Sequence, residues 1–446
     1  MARPNLQLPV IQNWSCHNCG GCCREHEIEI TAAEKKRIDS QKWSEADGIP
    51  SDRPVVESLG NQRFRLAHRE DGACVFLDEH GLCRIHAKFG EAAKPLACVV
   101  YPYAFHPAGN RLAVSLRFSC PSVVRNLGSE VTSQQRSLQQ LAEQVVAGKQ
   151  SQVQPPAIHG TQQLDWSDFH KFCAAIDASL SDTRVGFATR LMRVLSWLEL
   201  VEQSSFETVR GSRIDDYLQL LLTASEKAQP DDDLPVLQPS RLGRLMFRQL
   251  VAALVRHDTD ETRRAGAGRR MGLLAEGLQF TFAIGKVPNV RIPHSVQTAL
   301  SRQLLAGPDE TDRQDTPSKA QHRIRFGALE AVFQGRTPEI DELLTRYFRI
   351  KVQGLHFCGV ANFDLSLTQG FFSLALMYPA TLWVARIRAA RDMRSRISRE
   401  DVEVALATID HNFAYSPALG LTAARKRIQS LARMGQITRL CGWYSR

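Results

Sequence analysis

Cys16-His17-Asn18-Cys19-Gly20-Gly21-Cys22-Cys23 sets the character of the first quarter of this chain. The run is C-x-x-C-x-x-C-C, and two residues between thiols let a tight turn aim both sulfurs at one ion or cluster. Gly20 and Gly21 allow the positive φ that such turns use. Turn amides can then donate to the sulfurs and stabilise their negative charge. Four neighbouring cysteines without a metal would repel as thiolates and oxidise readily, a costly arrangement to keep for packing alone.

Downstream, Cys74, Cys83, Cys98 and Cys120 follow at wide spacing. Eight of the 11 cysteines therefore lie in the first 120 residues, and only Cys173, Cys358 and Cys441 come later. Met1 to Trp14 has no basic start followed by an apolar run, so no secretory signal is expected and the protein is placed in the cytoplasm. There, metal binding explains the clustering better than a disulfide framework. Cys16, Cys19, Cys22, Cys23, Cys74, Cys83, Cys98 and Cys120 are the candidate ligands. Adjacent side chains such as Cys22 and Cys23 are expected to point apart. One site would use Cys16, Cys19 and one of that pair plus a downstream cysteine, and a second site the remainder. Thiolate-only ligation suits zinc and iron–sulfur alike. The C-x-x-C-x-x-C core and the Cys120-Pro121 pair favour an iron–sulfur cluster of the 4Fe-4S kind, with zinc as the alternative.

The remaining sequence is ordinary globular material: 446 residues, 43% hydrophobic, 23% charged, net charge +9. No nucleic-acid motif accompanies the charge, so no nucleic-acid partner is expected. Glu27 to Ile30 and Arg111 to Phe118 alternate like strands, and Thr31 with Glu34 forms a capping box ahead of a helix. After Cys120 the apolar period becomes 3.6 residues. Helices are expected over 129–146, 184–202, 213–226, 239–257, 270–283, 321–334, 337–348, 365–390, 399–413 and 420–435. Gln229 to Pro235 and Gly307 to Pro317 read as loops. Phe371 to Ile387 is the longest apolar stretch, read as a core helix kinked at Pro379 and not as a membrane span. The Arg386, Arg388, Arg391, Arg394, Arg396 and Arg399 stretch reads as a solvated face or a surface for an acidic partner. The fold expected is α+β, mainly α: a cysteine-rich metal-binding module over 1–128, a helix and linker over 129–164, and a helical region over 165–446.

The cysteine blocks resemble a family described as a zinc- or iron-chelating domain, nearest its flagellin lysine-N-methylase branch. The likeness runs through Cys16-x-x-Cys19-Gly20-x-Cys22-Cys23, Cys74-Val75-Phe76-Leu77-Asp78 and Gly81-Leu82-Cys83-Arg84-Ile85-His86. It continues through Pro95-Leu96-Ala97-Cys98, Tyr101-Pro102 and Ser115-Leu116-Arg117-Phe118-Ser119-Cys120-Pro121. It covers about the first quarter of the chain. The resemblance implies a bacterial iron–sulfur protein that transfers methyl groups from S-adenosylmethionine to lysines of a protein substrate, flagellin. The residues themselves contain no donor fingerprint: no strand precedes Gly266-Ala267-Gly268-Arg269-Arg270-Met271-Gly272, and the C-x-x-x-C-x-x-C spacing of radical S-adenosylmethionine chemistry is absent. A non-enzymatic zinc- or iron-binding module with a helical partner-binding region is therefore the second reading. His17, His26, His68, His86 and His106 lie among the cysteines and read first as surface or hydrogen-bonding histidines, with His86 the strongest candidate for an extra ligand. Tyr101 and Tyr103 read as packing or as a substrate-lysine channel. Asp410-His411-Asn412 reads as a helix end or as base chemistry.

Overall fold

Alternating side chains and turn residues before Pro121 build two small sheets, and the regular structure after that point is helical among the described residues, so the fold is α+β and mainly α. The computed structural model describes residues 5–146, 153–229, 236–256, 267–288, 290 and 324–446. Strands β1 (Asn5–Gln7), β2 (Glu29–Ile30), β3 (Val56–Gly60), β4 (Arg63–Leu66), β5 (Tyr103–Ala108) and β6 (Arg111–Leu116) form sheets ordered β1-β6-β5 and β2-β4-β3. β1 runs parallel to β6, with Asn5 opposite Arg111, whereas β5 and β6 form an antiparallel hairpin. Pro107 lies on edge strand β5, where a missing N–H breaks no inner ladder. Asn61 and Gln62 both take positive φ, 50° and 58°, the pair of left-handed residues that a two-residue hairpin between β3 and β4 requires.

Short helices α1 (Cys22–Glu25), α2 (Ala32–Ser40), α3 (Arg84–Phe89) and α4 (Leu96–Val100) connect these strands, and α5 (Pro121–Val124) follows the last of them. At α2 the expected capping box is formed: Thr31 Oγ1 accepts from Glu34 N at 3.2 Å and Glu34 Oε2 from Thr31 N at 2.8 Å. The helical region comprises α6 (Gln135–Val146), α7 (Trp166–Ser181), α8 (Phe187–Val201), α9 (Ser212–Ala228), α10 (Arg241–Val255), α11 (Ala267–Phe282) and α12 (Pro338–Gln353). It continues as α13 (Leu367–Ala375), α14 (Met377–Arg391), α15 (Arg399–Asp410), α16 (Pro417–Gly420), α17 (Thr422–Arg433) and α18 (Gln436–Ser445).

Three helix readings need correction. The segment expected to be helical over 321–334 contains only a 3-10 turn, Phe326–Glu330, with 321–323 outside the described residues. Gln334 instead pairs with the backbone of Ser395 and Ile397, and those hydrogen bonds replace helical ones. The stretch 365–390 is two helices that change over at Leu376, three residues before Pro379. The proline thus sits in the first turn of α14, where its missing N–H costs least. The helix expected over 129–146 begins only at Gln135, preceded by a 3-10 turn over Val131–Gln134. The linker residues 147–152, the loops 230–235 and 307–317, and Gly266 lie outside the described residues.

Leu367–Arg391 is long and apolar enough to cross a membrane by composition, yet 94% of its apolar window is buried inside the protein. It forms the middle of the large core. That core begins at Tyr103 and includes β6, Phe118, Cys120 and apolar faces from α6 to α18. A second, small core contains Ile30, Ile38, Ile49, Leu66, Cys74, Phe76 and Ile85, with Cys23, Cys83 and Cys98 packed against it.

Candidate metal centre

Backbone pairing brings the first and last cysteines of the N-terminal set toward one another. Trp14 N donates to Ser129 O at 2.8 Å and Ser15 N to Leu127 O at 3.1 Å, so the strand entering Cys16 lies beside the chain leaving Cys120. Gly128 permits this approach: φ is 99°, and a Cβ there would stand 2.4 Å from Ser15 N. Elsewhere Cys74 N donates to Cys23 O at 2.7 Å, and Leu77 bridges to Cys83. Loops far apart in sequence are thereby stitched around α1.

All eleven cysteines are free thiols. The eight N-terminal sulfurs fall into two electrostatic neighbourhoods that meet at Cys22. In one, a thiolate at Cys19 is opposed by burial, helped by the Gly21 amide, and repelled by Cys22 and Cys16. Cys120 belongs with it: burial pushes its thiol up to about 12, the Val123 amide acts against that, and Cys19 repels its thiolate. In the other, Cys74 is pushed up to about 12 by burial, eased by the Phe76 amide, and feels Cys83 and Cys22. Cys98 is raised by burial and then by Cys74, Cys22 and Cys83. Cys23 is raised by its hydrogen bond to Cys22, by burial, and by Cys22, Cys74 and Cys83.

Cys22 Sγ and Cys23 Sγ lie 4.0 Å apart, so these neighbours do not point away from one another. The short helix α1 tips both sulfurs into the same space. The Cys23 thiol donates to Cys22, which outweighs burial and brings the Cys22 thiol down to about 7. The two neighbourhoods correspond to the two cores. Cys23, Cys74, Cys83 and Cys98 surround the small one, whereas Cys120 is buried in the large one. The division follows the pattern the spacing suggests, with Cys22 beside Cys19 and the downstream member Cys120, and Cys23 beside the remainder.

The donor chemistry fits a thiolate-bound metal. Eight sulfurs, amide N–H groups aimed at several of them, and mutual repulsion between the deprotonated forms are what a cation would offset. Among the described residues no three His, Cys, Asp or Glu side chains already stand as the ligand cage of one ion. Exchanging the thiol protons for a metal cation would offset that repulsion.

The histidines divide differently. His86 is exposed on α3. His17 Nδ1 lies 2.8 Å from Ser15 O and 3.0 Å from Ser122 Oγ, and His26 stacks on His411 with ring centroids 4.8 Å apart. His68 bridges to Cys74 through its backbone. His106 packs against His356, centroids 4.8 Å apart. Tyr103 donates to Gln134, and Tyr101 lies 3.2 Å from Ser119 Oγ against the His26 ring, so both tyrosines pack the wall of the cysteine region. Asp410, read from the sequence as a helix end or base, joins a buried polar group behind Cys120 with Lys351, Tyr347 and His356, for which local spacing had no signal. Asp410 is wholly buried and engaged there.

Residues 15–121 match the family model described as "Putative zinc- or iron-chelating domain". Two proteins named Lysine-N-methylase, from Salmonella choleraesuis (strain SC-B67) and Salmonella typhimurium (strain LT2), are each 26% identical over 124 residues, which is 26% of this chain and 30% of theirs. The "Flagellar biosynthetic protein FliU" of Salmonella muenchen is 26% identical over 108 residues, 24% of this chain and 64% of that protein. The chain thus spans under a third of the length of the methylases it matches. No solved structure matches it.

Proposed function

We propose that the eight N-terminal cysteines bind metal, one set holding an iron–sulfur cluster of the 4Fe-4S kind and the remainder a second site, and that the protein is a cytoplasmic protein-lysine N-methyltransferase. S-adenosylmethionine is the proposed methyl donor, and flagellin the first substrate to test. The observation that carries the metal assignment is the gathering of thiols from separate segments into two neighbourhoods joined at Cys22. The assignment of lysine methylation rests on the alignment of the same segment with proteins named Lysine-N-methylase. When bound, an iron–sulfur cluster supplies a redox-active centre. The chain's own part is to supply thiolates, to aim the amides of Gly21, Phe76 and Val123 at them, and to keep water from Cys74 and Cys120. Labelled methyl donor incubated with the purified protein and flagellin tests the activity. Label on flagellin lysines supports it, and no transfer to any lysine-rich protein of the host contradicts it.

One observation favours a second reading, a zinc- or iron-binding module without catalysis. The 4.0 Å between Cys22 Sγ and Cys23 Sγ is close to the edge, about 3.8 Å, of a tetrahedron with zinc–sulfur bonds of about 2.3 Å. Stoichiometric zinc without sulfide, and no methyl transfer, would select this reading.

A further inference from the structure

Cys120 is reached through a loop that the far end of the chain holds in place. Asp410, the last residue of α15, is wholly buried. Its Oδ2 accepts from Phe118 N at 2.5 Å and from Ser119 N at 3.3 Å, the two residues immediately before Cys120. Its Oδ1 accepts from Lys351 Nζ at 2.8 Å and from Tyr347 Oη at 3.1 Å, both on α12. Lys351 also donates to Leu116 O at 3.3 Å. Arg117 donates to His411 O at 3.1 Å and lies 4.0 Å over the Tyr415 ring. Cys120 N in turn donates to Arg117 O at 3.2 Å. The segment 116–120 is therefore gripped by charge-assisted hydrogen bonds from α12 and α15, in a setting without competing water.

We infer that Asp410 is a positioning residue for Cys120: through this carboxylate the helical region determines where the last thiolate of the metal centre sits. The purpose rests on the metal-binding reading of the cysteines, but the geometry rests on hydrogen bonds alone. A buried carboxylate joined to two consecutive backbone amides fixes both the position and the direction of the loop. Apolar packing of Phe118 alone would leave the chain free to slide. Lys351 keeps that carboxylate paired inside the core, where an uncompensated charge would be expelled.

Full-chain Asp410→Ala and Asp410→Asn, with Asp177→Ala as comparison, separate anchoring from general stability. Asp177 receives Arg349 and Gln353 from α12 and touches no cysteine loop, so its loss weakens helix packing elsewhere. In the metal-free proteins, amide exchange over 116–120 and native-state alkylation of Cys120 are read by mass spectrometry. Both rates are expected to rise about tenfold or more in Asp410→Ala, with Cys74 unchanged and with no such rise in Asp177→Ala. Asp410→Asn retains an acceptor oxygen and should fall between, which keeps the test usable if the alanine variant does not fold. Metal content after anaerobic loading should fall in Asp410→Ala toward that of Cys120→Ser. Unchanged exchange and alkylation at 116–120 would overturn the inference. If those rates rise but wild-type protein binds no metal, the chelation reading fails and the anchoring stands.

Discussion

Cys22 is the residue on which both thiol neighbourhoods converge, and its chemistry is testable by itself. The Cys23 thiol donates to it and draws it down to about 7, so Cys22 should be the thiolate of the adjacent pair in metal-free protein at pH 8. Labelling by a thiol reagent across pH, read by mass spectrometry, should show Cys22 modified ahead of Cys23 and Cys74. Cys23→Ala should move the Cys22 midpoint upward, and an unmoved midpoint would remove the hydrogen bond from the account. His106 and His356 make the opposite point about burial. Their Nε2 atoms are buried without a partner. Burial, with Lys351 nearby, holds His106 down to about 3 and His356 well below the ordinary range. Unfolded, each binds a proton near 6.5; folded, each refuses it until far lower. Stability from this pair is therefore intact above about pH 6.5 and drains as pH falls, by up to about 1.4 kcal/mol per pH unit for each histidine. Urea unfolding at pH 7.5 and 5.0 should show the loss, and His106→Gln with His356→Gln should flatten it.

Among the elements, α14 departs most from its reading as part of a solvated basic face. Arg386 is wholly buried and donates to the carbonyls of Leu329, Ala331, Tyr444 and Arg446. Arg388 and Arg394 are paired with Asp401, and Arg399 with Glu403. Arg386→Met should therefore destabilise the protein by about 3 kcal/mol or more, because several buried carbonyls lose a charged donor at once. Lysine should not rescue it, since one ammonium cannot serve a spread of four acceptors. A urea midpoint within error of wild type would contradict this. Elements with local signals were legible in the sequence: the Thr31–Glu34 box, the alternation that becomes β6, and the amphipathic periods of α8, α9, α10 and α17. Others had none. The turn at Asn61-Gln62 lacks the glycine that advertises a hairpin, and β5 contains a proline that argues against a strand until its edge position is known. The clustering of cysteines was visible, but their grouping depends on tertiary bonds such as Cys74 N to Cys23 O. Lys351 gives no sequence signal either, because a lysine on a periodic helix normally points to water.

Across the whole molecule, the cysteines sit where a small apolar core meets a large one. The small core, built on Ile30, Ile38, Leu66, Phe76 and Ile85, is too slight to be firmly stable by burial alone. Metal binding would contribute folding free energy there. Chelator treatment should therefore open residues 16–98 to limited proteolysis while α7 to α15 stay resistant. Equal resistance of both parts would mean the small core needs no metal. The decisive measurement is metal and acid-labile sulfide content, with an absorption spectrum, on anaerobically purified full-length chain. The expected result is stoichiometric iron and sulfide with broad visible absorption, diminished in Cys22→Ser and in Cys120→Ser. A chain with eight titratable thiols and no bound metal of any kind would contradict the account.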